Sequence, residues 1–275
     1  MNFSMEILDS VKQLNNQLQE NSNKLKVEAE EAQKMSNLIS TLLSYIEKGW
    51  PMHFVNLADK ESKMLQKLRN DGIAQIQRLE EAYRQAKEES DRLMRRYPTV
   101  FDEACKAARI TLDTSSPHPK YGIRNGFFKV EINESTRTAK LSDLEGKLAE
   151  LPADPEAVTE KIRSEYNRVF GRRFQGTKFL KKIRVQYKKI IKREHLSEGA
   201  SVPIREITRN LKKKDKKFRM DEFVADLTIL AEKGPHEVDG KVLDLQQTKD
   251  TSQGILLAGA ASRGYIGFII FKEKT

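Results

Sequence analysis

Residues 1–48 contain neither proline nor glycine, and within them Val11, Leu18, Leu25, Ala32, Ile39 and Ile46 recur at a strict spacing of seven. Leu14, Met35 and Leu42 occupy the companion positions of the same repeat. A seven-residue apolar repeat leaves one seam of a helix greasy along its whole length, so the spacing predicts a long helix with a coiled-coil seam. Asn21 and Glu28 stand where companion apolar residues would pack, and they weaken its middle.

Lys48-Gly49-Trp50-Pro51 ends that helix, because the ring of Pro51 removes a backbone donor and biases Trp50 away from helical geometry. A second helical stretch is expected from Leu57 to Arg96, where Met64, Leu65, Leu68, Ile73, Ile76, Leu79, Tyr83 and Ala86 keep a three-to-four spacing, with Gly72 as its weak point. Two helices of roughly 40 residues, each roughly 60 Å long, joined by a short connection, predict an antiparallel helical hairpin over residues 1–97. A homodimeric coiled coil through the first helix is the alternative.

Residues 98–153 read as a short helix, Phe101 to Ile110, a loop at Ser115-Ser116-Pro117-His118-Pro119, and a β-hairpin whose arms are Phe127 to Ile132 and Thr136 to Leu141. Residues 154–200 read as a helical segment. Asp154-Pro155 places a capping residue before a proline at the first helical position, so a helix is expected from there to Phe170, and another from Lys178 to Arg193.

Charge is distributed unevenly along this order. The whole chain carries +10, yet residues 1–100 hold 15 basic and 15 acidic residues, while residues 161–220 hold 21 basic and 5 acidic ones. Such concentration points to phosphate-rich polymers or anionic membranes, or else to a solvated charged face. Within the helix from Lys178 to Arg193, Leu180, Ile183, Tyr187, Ile190 and Ile191 form an apolar face. Lys181, Lys182, Arg184, Lys188, Lys189, Lys192 and Arg193 occupy much of the rest. A helix of this kind either packs on a core with its charges in water, sets its cations against nucleic-acid phosphates, or binds a membrane surface or groove; the last fits poorly, since the apolar face lacks tryptophan. A second basic run, Lys212-Lys213-Lys214-Asp215-Lys216-Lys217-Phe218-Arg219, has no apolar period and is expected to be a loop.

From residue 201 to 275 the order is a helix from Ile204 to Leu211, the basic loop, a helix from Asp221 to Lys233 closed by Gly234, and strands at Lys241–Leu245, Gly254–Ala258 and Tyr265–Phe271. Two short helices, a turn and a β-ribbon resemble a winged helix-turn-helix domain. The resemblance implies a module used to bind DNA, and also used for protein contacts within larger complexes. The helix that would enter the major groove carries Asp221, Glu222, Asp226 and Glu232 against Lys233 alone, and acidic side chains are poor neighbours for phosphates. Contact is therefore expected through Arg205, Arg209, Lys212, Lys213, Lys214, Lys216, Lys217, Arg219 and Arg263 of the wing, mostly to the backbone and without sequence reading.

Other constellations carry little chemistry. Gly171 to Lys178 superficially matches a phosphate-binding loop, but its final Lys and Thr are in the wrong order and a helix precedes it. Asp244 with Lys249 offers a metal-dependent nuclease reading from a short pattern. His53, His118, His195 and His236 have no ligand-like spacing, and Cys105, the single cysteine, is expected to be a small buried residue. One cysteine provides no internal disulfide or Cys-based zinc site and fits a reducing, cytoplasmic or nuclear setting, with cytoplasmic expected, nucleoid-associated if bacterial. Met1 to Glu6 show no basic start before an apolar core, so no secretory signal is expected. The expected fold is mainly α, a long N-terminal coiled-coil hairpin followed by a basic α/β body ending in a winged-helix-like domain. The expected function is non-enzymatic, largely sequence-independent binding of duplex DNA, without cofactor or membrane, by a subunit of a DNA-processing, chromosome-maintenance or bacterial defence assembly whose protein partner meets the N-terminal coiled coil. A structural adaptor that binds proteins through both the coiled coil and the winged helix is the competing reading.

Overall fold

The computed structural model describes residues 5–114, 117–257 and 264–274, and the chain divides between Arg92 and Leu93 into two compact units. The fold is mainly α with an α+β C-terminal part, as the sequence predicts.

In the first unit, α1 (Met5–Lys48) runs as one helix, as its freedom from proline and glycine requires. Gly49 ends it in the left-handed region (φ +67°), where Gly49 N–H and Trp50 N–H close back onto the carbonyls of Ile46 and Tyr45. Pro51 then opens α2 (Pro51–Lys60) at its first position. The continuous second helix expected from Leu57 to Arg96 is not formed: Glu61 separates α2 from α3 (Ser62–Asn70), and a turn around Gly72 (φ +72°) precedes α4 (Ile76–Arg95). A core of Leu38, Leu42, Phe54 and Ala58, flanked by Leu65, Leu79 and Tyr83, ties the last third of α1 to the helices that follow. Lys67 pairs with Glu31, Arg69 with Glu80, and Tyr83 Oη donates to Asp59 at 2.6 Å. The expected hairpin thus covers the C-terminal part of α1. Farther toward its start the seam residues Val11, Leu14, Leu18 and Leu25 are 55–65% exposed.

The second unit opens with α5 (Tyr97–Ala107), whose Tyr97, Phe101 and Cys105 are buried. Four antiparallel strands follow as a meander, β1 (Lys120–Ile123), β2 (Phe128–Asn133), β3 (Thr138–Ser142) and β4 (Lys147–Pro152). The expected hairpin is β2 with β3; β1 and β4 extend it on either side. Phe128, Val130 and Ile132 alternate inward along β2, with Ile132 opposite Ala139 and Val130 opposite Leu141. Next come α6 (Pro155–Phe170) and α7 (Gly176–Arg193), with Pro155 and Phe170 bounding α6 as expected.

The C-terminal part adds β5 (Val202–Pro203), α8 (Ile204–Lys214), α9 (Met220–Lys233), β6 (Glu237–Val238), β7 (Lys241–Thr248), β8 (Ile255–Leu256) and β9 (Tyr265–Glu273). Its sheet runs β5-β9-β7-β6, with β8 also on β9. The two helices and antiparallel ribbon that carry the winged-helix resemblance are therefore present. Helix α7 packs on them: Phe179 meets Phe223 of α9 at 5.4 Å between ring centroids, Tyr187 meets Phe271 of β9 at 5.0 Å, and Tyr187 Oη donates to Ala200 O. Of the loop expected to form a wing, Gly259 to Gly264, residues 259–263, with Arg263, lie outside the described residues. Among the described residues, no helix is long and apolar enough to cross a membrane.

Candidate nucleic-acid interface

The periodicity of α7 separates its residues into two faces. Leu180, Ile183, Tyr187, Ile190 and Ile191 are buried against the neighbouring elements. Lys178, Lys182, Val185, Lys189 and Lys192 are exposed, and their alternation of four and three residues aligns them in one stripe on the opposite face. That stripe is about 21 Å long at 1.5 Å per residue. Beside it a groove of about 500 Å³ lies between α7 and the end of α8, lined by Lys178, Lys181, Lys182, Val185, Gln186, Leu211, Lys214 and Asp215. Gln186 is 4% exposed. Lys178, which belongs to the stripe by its four-residue spacing from Lys182, is missing from the cations singled out in the sequence.

The sixteen expected contact residues fall into distinct groups. Lys181, Lys189, Lys192, Lys212, Lys213, Lys214, Lys216 and Lys217 are exposed, and none forms an ion pair with another described residue. Lys182 is 3.7 Å from Asp215, and Lys188 pairs with Asp239 at 2.9 Å, both at the surface. Such exposed pairs are screened by solvent and contribute little, so phosphates would compete for these cations. Arg193 binds Glu194 and Glu206, Arg209 binds Glu206, and Arg205 donates to Gly254 O at 2.9 Å. Arg219 holds Asp221 at 3.1 Å.

Two expectations are corrected. Arg184 is 3% exposed, pairs with Glu198, and stacks over Phe271 at 4.7 Å and Tyr187 at 5.3 Å; it is a packing residue, because a guanidinium so covered has no open face for a phosphate. Lys212, Lys213 and Lys214 belong to the last turn of α8 rather than to a loop, which shortens to residues 215–219. Their charge suits that place, since the end of a helix carries a partial negative charge.

The acidic residues of α9 also have a structural role. Arg168 of α6 donates to the fully buried Asp221 and to Glu222, while Arg172 reaches Asp226 at 2.9 Å and Glu222 O at 3.2 Å. Burial opposes the charge of Arg168, but Asp221 and Glu165 outweigh it and hold its pKa above the ordinary arginine value. Burial likewise pushes Asp221 upward, yet Arg219, Arg168 and the Glu222 N–H together bring it below the usual carboxylate value. The helix that a winged helix would insert into a groove is thus engaged by Arg168 of α6 and by Arg172 just after it. No spacing within the sequence links Arg168 and Arg172 to residues some fifty positions away, and these arginines are absent from the expected set.

For the nuclease reading, Asp244 pairs with Lys272 at 2.6 Å, and among the described residues no three His, Cys, Asp or Glu side chains converge to hold a metal. No family model matches the chain, and neither a curated protein nor a solved structure matches it.

Proposed function

We propose that this chain binds duplex DNA through phosphate contacts, without enzymatic chemistry and without reading sequence, as a subunit of a DNA-processing, chromosome-maintenance or defence assembly. The observation that carries the reading is the lysine stripe Lys178, Lys182, Lys189 and Lys192, bordered by Lys181 and Lys214, on a face of α7 that no other described element covers. Its length of about 21 Å matches several phosphates of one strand, and cations so spaced displace condensed counterions. Meanwhile the acidic α9 is closed by Arg168 and Arg172, which leaves base reading without a helix to perform it. Fluorescence anisotropy with a random-sequence duplex at two salt concentrations tests this. Wild type binds at low salt, and each lysine removed in Lys182→Glu, Lys189→Glu and Lys192→Glu lowers the salt slope by about 1. Unchanged affinity and slope in the triple variant overturn the proposal.

A homodimeric coiled coil through the first helix is favoured by one separate observation, the uncovered start of α1. Leu42 of the seam is fully buried within the chain, whereas Val11, Leu14, Leu18 and Leu25 on the same seam are exposed. The occupant proposed is a second copy of the chain, because Val11, Leu18, Leu25, Ile39 and Ile46 keep the seven-residue spacing of a coiled coil and stay exposed along α1, beside the contact made by Leu38 and Leu42. Ser10, Asn15, Gln17 and Ser22, which flank Val11, Leu14 and Leu18, carry no charge, so self-pairing meets no like-charge repulsion over that stretch, whereas Lys24 beside Leu25 and Glu28 in the seam disfavour its extension. Light scattering on the full chain should give a dimer for wild type and a monomer for Leu18→Glu. A monomeric wild type, or a Leu18→Glu variant that stays dimeric, overturns the assignment.

A further inference from the structure

A second cluster of cations lies away from α7. Arg109 directly follows the last turn of α5, Arg124 sits in the turn between β1 and β2, and Arg163 is on α6; together with Asp113, Tyr166 and Asn167 they line a cleft of about 440 Å³. The backbone there is unusual. Arg109 has φ +58°, in a helix-terminating position where glycine is the common choice, and Arg124, Asn125 and Gly126 are three successive left-handed residues at φ +56°, +56° and +75°. A side chain in this region costs about 1 kcal/mol or more, so two arginines sit where the backbone alone favours glycine, and both face the same cleft.

The cleft is built rather than incidental. Asp113 fixes the Arg124 turn by accepting from the Asn125 and Gly126 N–H groups at 3.0 and 2.7 Å, which spends both of its carboxylate oxygens. Arg124 stacks over Phe170 at 3.9 Å and donates to Tyr166 Oη at 2.8 Å, which orients its guanidinium; its Nε is buried without a partner. Arg109 and Arg163 are exposed and form no ion pair with any described residue.

We infer that this cleft binds a phosphate monoester, with Arg109, Arg124 and Arg163 as its donors. Three guanidinium charges less that of Asp113 leave +2, which a monoester dianion balances and a single carboxylate does not. The chemistry is shared by a free nucleotide and by the phosphorylated end of a nucleic-acid strand. The inference stands apart from duplex binding by α7, since it uses other residues on other elements.

Isothermal titration calorimetry on the full chain tests it with four probes: inorganic phosphate, AMP, a single-stranded oligonucleotide with a 5′-phosphate, and the same oligonucleotide with a 5′-hydroxyl. Saturable AMP binding assigns the cleft to free nucleotides; a preference for the phosphorylated over the hydroxyl oligonucleotide, without AMP binding, assigns it to strand ends. In either case Arg109→Ala and Arg163→Ala, both at exposed positions, should each weaken the phosphate-dependent binding about tenfold. Circular dichroism confirms that the variants remain folded. The inference is overturned if wild type binds neither AMP nor phosphate at millimolar concentration and treats the two oligonucleotides alike, or if the folded double variant binds as wild type does.

Discussion

Arg168 of α6 donates to Asp221 at the start of α9, so the fully buried carboxylate is neutralised by a residue 53 positions away. Removing one partner of a buried pair leaves the other charge stranded, which costs about 3–5 kcal/mol in general. Here Arg219 also holds Asp221, and a smaller loss of roughly 2 kcal/mol is expected for Arg168→Ala in urea unfolding. The pH dependence has a definite sign. Asp221 has a depressed folded pKa, so its contribution is present above its ordinary unfolded value near 3.8 and is lost as pH falls through the folded value. Asp221→Asn should therefore be less stable than wild type at neutral pH, with the difference closing only in strong acid.

Asp143 has the opposite sign. Its Oδ1 accepts from Glu145 N–H and Gly146 N–H, but its Oδ2 is buried without a partner, and burial with the neighbouring Asp221 charge raises its pKa above the usual value. A raised carboxyl pKa means that ionisation costs stability, in full above the folded value; the cost shrinks as pH falls below that value and is gone below the unfolded one. Asp143→Asn keeps the Oδ1 acceptor and places an N–H donor at the unpaired position. It should stabilise the protein by about 1 kcal/mol at neutral pH, with the gain shrinking in acid, as read from urea midpoints across pH.

Arg184 separates packing from binding. Among the cations of α7 it alone is buried, stacked on Tyr187 and Phe271 and paired with Glu198. Arg184→Ala should lose about 2–4 kcal/mol of stability while duplex affinity, measured where the variant is folded, stays within error of wild type. Loss of affinity without loss of stability would return Arg184 to the surface set.

Local chemistry made several features legible in the sequence. Pro155 and Gly171 bracket α6, and the three-to-four spacing of Leu180, Ile183, Tyr187, Ile190 and Ile191 determines which side of α7 meets the core. Features that depend on distant partners were not legible. Strand β1 is four residues with Gly122 inside it, β4 has only half-buried and exposed positions in no alternating order, and β5 is two residues; each is held by pairing with a neighbouring strand. The break at Glu61 has no proline or glycine to announce it. The same holds for the candidate site: the lysine stripe follows from helical period, but the burial of Arg184 and the closure of α9 by Arg168 and Arg172 depend on contacts between elements.

Cys105 is 1% exposed on α5, and burial, with a smaller contribution from Asp102, pushes its thiol up to about 12. The thiolate is the reactive form, so at neutral pH the folded protein should leave a thiol-directed reagent unconsumed. One equivalent should react after unfolding in urea. Fast reaction of the native protein would mean that α5 opens.

The glycine-containing segment between α6 and α7, which superficially matches a phosphate loop, serves packing. A Cβ on Gly176 would lie 2.5 Å from Pro235 Cδ, 2.9 Å from the Phe174 ring and 3.2 Å from Gly234 O. Phe174 also meets Phe179 at 6.2 Å, and Phe179 in turn packs on Phe223 of α9, so the clash cannot be relieved by one flexible side-chain tip. Replacing a helical glycine with alanine ordinarily gains up to about 1 kcal/mol. At this position overpacking of about 1–3 kcal/mol should outweigh that gain, so Gly176→Ala is expected to lower the thermal midpoint. Gly49→Ala should destabilise for a different reason: nothing lies within 4 Å of its Cβ position, and the cost comes from its left-handed φ of +67°. Asparagine tolerates that backbone better than alanine, so Gly49→Asn should recover part of the loss at Gly49, whereas Gly176→Asn should be worse than Gly176→Ala. Thermal unfolding of the four variants reads the contrast directly.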